Sequence, residues 1–177
     1  MLRKLLRYEP DTGRLFWRER TPDMFEDGAR SAKHSCGIWN SKYANKEAFT
    51  ALEFSGYAHG RIFNVLFKAH RVIFALHYGF WPTNQIDHIN GIKTDNRISN
   101  LREVTNSENQ RNAKRRSDNK SGACGVSWHE GTGKWQVRIK VDGRDKYIGV
   151  FDLFDDAVAA RKAADVEYGY HSNHGRY

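Results

Sequence analysis

Two apolar runs, Leu5-Leu6 and Leu15-Phe16-Trp17, flank Pro10-Asp11-Thr12-Gly13, and a turn-forming tetrad between apolar runs predicts a β-hairpin. Residues 18–47 then become polar and aperiodic, with turn signals at Thr21-Pro22-Asp23 and Asp27-Gly28, which predicts a surface excursion in which no chemistry is legible. Order returns at Tyr57–Phe67, read as short strands, and again from about His70 to Tyr78, where Val72, Ile73 and Leu76 share one face of a helix. Residues 1–67 are accordingly expected to form an N-terminal β-rich module.

Trp81-Pro82 breaks the pattern, Gln85-Ile86-Asp87-His88-Ile89 reads as extended, and Asn90-Gly91 is a turn signal. A return run, Arg97 to Val104, leads into Thr105, and Glu108 three residues later completes a capping box that opens a helix. The order strand, turn, strand, helix thus occupies residues 68–112. In residues 111–120 five of ten positions are Lys or Arg and none repeats with apolar periodicity, so 113–121 is expected to be a basic linker. Residues 122–177 hold three strand-like runs, Gly125–His129, Lys134–Val141 and Lys146–Phe151, and then a helix with an acidic start at Asp155 and an end at Gly169. The predicted class is α+β, closing with a three-stranded antiparallel sheet packed on one helix.

Charge changes this picture. Lys and Arg number 29 against 21 Asp and Glu, a formal +8, and because part of the excess clusters in the linker a polyanion such as nucleic acid becomes the favoured partner. Cys36 and Cys124 form no C-x-x-C pair, which argues against a zinc knuckle or a disulfide framework and for a reducing setting. The first residues lack the pattern of an export signal and no run is long enough to span a membrane. A cytoplasmic protein that is not exported and has no membrane partner is expected.

Cutting a phosphodiester needs a hard cation to neutralise charge on the phosphate and the leaving oxygen, and a base to make water nucleophilic. The middle segment holds candidates for both: Asp87 and Asn109 as oxygen ligands of Mg²⁺, with Mn²⁺ as a possible substitute, and His88 as the base. Adjacent residues of a flat strand point to opposite faces, so joint use of Asp87 and His88 requires local bending, for which the Asn90-Gly91 turn is placed. Taken singly, Asp87 and Asn90 would be turn residues, His88 structural, and Asn100 and Asn109 helix-boundary residues; their joint arrangement points to a nuclease. His70 reads as structural.

The run Ile86-Asp-His-Ile-Asn-Gly-Ile-Lys-Thr-Asp-Asn-Arg-Ile-Ser-Asn-Leu-Arg-Glu-Val-Thr-Asn-Ser-Glu-Asn-Gln resembles the motif of the HNH homing endonucleases of phages and group I introns. The resemblance implies a ββα-metal nuclease acting in a bacterial host. It implies Asp87 and Asn109 as metal ligands and His88 as general base. Asn100 would pin the loop and orient the base, and the third motif position is Asn109 where many members have His. Arg97 and Arg102 are candidate phosphate contacts, as are Arg111, Lys114, Arg115 and Arg116 of the linker.

In the last segment Lys134, Gln136, Arg138 and Lys140 alternate with Trp135, Val137 and Ile139, which predicts one basic and one buried face. Gly125-Val, Gly133-Lys-Trp, Arg138-Ile-Lys, Tyr147-Ile-Gly-Val-Phe-Asp and the Ala-rich helix resemble the APETALA2 type of DNA-binding domain of plant ethylene-response factors. That resemblance implies that Arg138, Lys140 and Tyr147 face DNA. Cys124, Ser127 and Asp145 stand where the plant proteins use Arg, so a plant-like target sequence is not implied. The expected activity is a monomeric, metal-dependent endonuclease acting on double-stranded DNA without an obligate protein partner. The competing expectation is a DNA-binding regulator that retains an inactive nuclease fold, and a third is RNA binding through the aromatic, basic sheet.

Overall fold

Gly13 ends the first turn at φ +73°, and a Cβ there would lie 2.6 Å from the backbone nitrogen of Arg97, so two constraints select glycine together. The computed structural model describes residues 1–176. After a single helical turn, α1 (Leu2–Leu5), the predicted hairpin forms from β1 (Leu6–Glu9) and β2 (Arg14–Trp17), with Leu6 opposite Trp17 and Glu9 opposite Arg14. A short third strand, β3 (Glu47–Ala48), pairs with β2.

The chain divides into two packed units, residues 1–88 with 92–103, and residues 89–91 with 104–176. In the first, β4 (Ala51–Leu52), β5 (Ala58–Ile62) and β6 (Val65–Lys68) make a second antiparallel sheet, preceded by α2 (Ala32–Tyr43) and followed by α3 (Ala69–Tyr78). The expected face of α3 is buried, with Val72 and Ile73 fully inaccessible, and each such side chain contributes about 1.5–3 kcal/mol. Gly79 closes α3 in the left-handed conformation. Leu5, Leu6, Leu15, Phe49, Ile62, Ile86 and Leu101 complete one core around it, so the N-terminal hairpin and the strand carrying Asp87 share a single apolar interior. That strand, β7 (Gln85–His88), pairs with β8 (Leu101–Val104).

Residues 18–47 depart from expectation. They contain a 12-residue helix, α2 (Ala32–Tyr43), begun by the Ser31 hydroxyl accepting the His34 amide hydrogen. Only Cys36 of this helix is buried. It lacks the apolar stripe by which a helix is recognised, and it is held by its cap and by Trp39, which stands edge-on to Trp17 with centroids 5.7 Å apart.

In the second unit the capping box forms as expected: Thr105 accepts from the Glu108 amide while the Glu108 carboxylate accepts from the Thr105 amide. The helix it opens, α4 (Asn106–Gln110), is short. β9 (Val126–His129), β10 (Lys134–Val141) and β11 (Arg144–Phe151) form an antiparallel sheet with β10 central, covered by α5 (Phe154–Glu167). Val126, Val137 and Ala157 form its core. A bulge between Val137 and Arg138 shifts the register with β11. Arg161 of α5 is buried; its Nη1 donates to the Arg138 carbonyl at 2.8 Å and its Nε and Nη2 donate to Asp165. No helix among the described residues is long and apolar enough to cross a membrane.

Candidate active site

His88 ends β7 with 3% of its surface exposed, and Asp87 before it has 8%. Strand alternation gives them different neighbours. Ile86 enters the core about α3, and His88, on the same face, lies against His70 of that helix, with ring centroids 5.2 Å apart at 78°. Tyr57 completes the stack, 5.0 Å from His70 and 5.8 Å from His88. Asp87 turns to β8, where the Nε and Nη2 of Arg102 donate to its Oδ2 at 3.1 and 3.0 Å.

His88 Nε2 lies 3.0 Å from Asn96 Oδ1. An amide oxygen only accepts, so Nε2 carries the hydrogen and the lone pair of a neutral imidazole resides on Nδ1. Burial pushes the His88 pKa below its ordinary value, against the Asn96 hydrogen bond and the Asp87 and Asp95 charges that pull it up. The neutral, proton-accepting form is therefore the one present at neutral pH. His70 is pushed down further, to about 3, first by burial and then by the charge His88 carries once protonated and by the nearby Lys68 and Arg71.

Asn96 is 5% exposed and is held from both sides. The Tyr8 hydroxyl donates to its carbonyl at 3.1 Å and accepts the Ile98 amide hydrogen at 2.8 Å, while Gly13 abuts the Asn96-Arg97 backbone. Asn100, 7% exposed, donates from Nδ2 to the Asp95 carbonyl at 2.8 Å. The structure therefore places Asn100 on the loop and Asn96 on the histidine. Asn96 belongs to the motif run, but it is one of several asparagines there, and its part, like those of Tyr57 and Tyr8, escaped the sequence reading.

Asp87, His88 and Asn100 are brought together in the first unit; Asn109 sits half-buried on α4 of the second. The turn at Ile89–Gly91 also packs with the second unit, where the Asn173 Nδ2 donates to the Ile89 carbonyl at 2.9 Å. A carboxylate and an amide oxygen suit a hard cation that keeps several waters. Among the described residues no group of three or more His, Cys, Asp or Glu is placed to hold a metal ion.

The other candidates divide by what they touch. Arg97 is engaged by Asp95 at 2.6 Å, Arg116 by Asp118 at 2.8 Å and Lys134 by Asp152 at 3.0 Å. Arg111 lies 3.5 Å from Asp142, Arg115 donates to the Gly122 carbonyl, and Lys114 is exposed. On the sheet, Arg138 and Lys140 are exposed without ion pairs among the described residues; Tyr147, opposite Arg138, is 54% exposed, and Gln136 is half-buried.

Residues 67–111 match the sequence model of a family described as HNH endonuclease. That stretch runs from the end of β6 to the end of α4 and contains Asp87, His88, Asn96, Asn100 and Asn109, so the buried histidine lies inside the stretch that is similar to HNH endonucleases. No curated protein and no solved structure matches the chain.

Proposed function

We propose that the protein is a metal-dependent DNA endonuclease of the HNH homing type, hydrolysing phosphodiester bonds of duplex DNA. The observation that carries this reading is the buried His88, in hydrogen-bond contact with Asn96 and beside Asp87 within the matched stretch. His88 acts as general base, taking a proton from the attacking water at Nδ1. Asn96 holds the ring by its other nitrogen, and Asn100 holds the loop that carries Asn96. Asp87 and Asn109 are the residues that would hold Mg²⁺ or Mn²⁺, which supplies charge neutralisation at the scissile phosphate and its leaving oxygen. Arg102 keeps the Asp87 carboxylate compensated inside the fold.

The exposed row of Arg138, Lys140 and Tyr147 supports a duplex-binding face on the C-terminal sheet, an APETALA2-like role. Arg111, Lys114, Arg115 and Arg116 would add phosphate contacts. Joining two DNA contacts in one chain raises effective concentration and lengthens the footprint.

The test is incubation of supercoiled plasmid and phage genomic DNA with the protein and Mg²⁺, beside an EDTA control and the His88→Ala variant. Conversion to open-circle or linear DNA that needs both metal and His88 is expected. Binding without conversion by the unaltered protein would transfer the reading to a DNA-binding regulator.

A further inference from the structure

The segment joining β2 to α2 begins at a cleft that the nuclease reading does not use. Its volume is about 480 Å³, within the range of small-ligand sites, and Trp17, Arg20, Trp39, Tyr43, Arg61 and Phe63 line it. The Arg20 backbone is fixed by Asn40, whose amide both donates to its carbonyl and accepts its N–H, at 2.9 Å each. The guanidinium sits 3.8 Å over the Trp39 ring and within 6 Å of Trp17, Phe25 and Phe63.

Two features go beyond a packed cation. Arg20 Nε is buried with no hydrogen-bond partner, and among the described residues no carboxylate pairs with the guanidinium. Burial draws its pKa below the ordinary value, so this is a partly desolvated cation with one buried donor, Nε, unmet. The second feature is Phe63. It occupies the first position of the two-residue turn between β5 and β6 at φ +47°, followed by Asn64 at φ +64°, where Asn and Gly are the residues that fit. A bulky ring in the left-handed region is an outlier that the surroundings must hold, and such strain gathers at binding sites. Here it sets a half-exposed aromatic beside Arg20.

An unpaired cation calls for an anion, and flat aromatic walls call for a planar ring. We propose that this cleft binds an unpaired nucleotide of DNA, its phosphate on Arg20 and Arg61 and its base stacked on Trp39, Tyr43 and Phe63. Arg61 is exposed and spans the same turn through its bond to the Asn64 carbonyl at 3.0 Å, which leaves its remaining donors at the rim. The inference rests on DNA as the substrate, but it concerns binding alone.

The test is fluorescence anisotropy of a labelled single-stranded oligothymidylate in EDTA, for the full chain and its Arg20→Gln and Phe63→Asn variants. Phe63→Asn places the favoured residue in the turn, so it folds at least as well while removing one wall. Each variant is expected to weaken oligothymidylate binding by about tenfold, the size of one lost stacking or phosphate contact, with duplex binding and plasmid cleavage unchanged. Affinities within twofold of the unaltered protein, with unchanged circular dichroism, would overturn the proposal. So would free thymidine monophosphate competing as well as the oligomer, which would assign the cleft to a free nucleotide. Loss of plasmid cutting in the unaltered protein would sink the nuclease reading and leave this result standing.

Discussion

Lowering the pH should destabilise the first unit through His70 in particular. In the folded protein this ring accepts a proton only near pH 3, whereas in the unfolded chain it does so near its ordinary 6.5. The folded pKa lies below the unfolded one. The stabilisation is therefore complete above 6.5 and is lost as pH falls toward 3, because the unfolded state binds the proton first. At about 1.4 kcal/mol per pH unit, a drop from pH 7.5 to pH 5 costs about 2 kcal/mol from this residue, and His88, also depressed by burial, acts in the same direction.

The variant that isolates the effect is His70→Leu. His70 Nδ1 is buried without a partner, so the substitution breaks no hydrogen bond there and replaces the ring by an apolar group of similar size. At pH 7.5 the variant should unfold within about 1.5 kcal/mol of the unaltered protein. At pH 5 it should gain about 2 kcal/mol relative to it, which shifts the urea midpoint of tryptophan fluorescence by about 1 M. A difference between the two proteins that is the same at both pH values would refute the assignment of His70 as a buried neutral ring.

Arg102→Met should lower stability by about 1–3 kcal/mol in EDTA by leaving the buried Asp87 carboxylate uncompensated, and Mg²⁺ should restore part of the lost melting temperature if Asp87 is a ligand. Gly13→Ala, at φ +73° and against the Asn96-Arg97 backbone, should cost about 2 kcal/mol or more in chemical unfolding, and a loss within 0.5 kcal/mol would mean that the hairpin does not press on that loop. Duplex binding should weaken by at least about tenfold between 50 and 200 mM salt, and Arg138→Ala or Lys140→Ala should each reduce the logarithmic slope by about 1; a flat response would remove the sheet and the basic segment from DNA contact.

The elements legible in advance are those whose cause is local. Pro10-Asp11-Thr12-Gly13 writes its own turn, Val72, Ile73 and Leu76 write the buried face of α3, and Thr105 with Glu108 writes the start of α4. Helix α2 has no such signature. Its apolar residues do not form a stripe, and what holds it is the contact of Trp39 with Trp17, a residue from another element. The site divides in the same way. Asp87 and His88 stand out because adjacent residues carry the two chemistries that the proposed nuclease activity calls for, but the contact of Asn96 with His88 is set from far along the chain. Tyr8, 88 residues before Asn96, grips that residue's carbonyl, and Gly13 leaves room for its backbone to approach the turn of the first hairpin. Asn100 then secures Asp95, the residue before Asn96. The N-terminal hairpin is thus part of what holds Asn96 against His88, which gives a segment ahead of the matched stretch a physical role that no motif within residues 67–111 could announce.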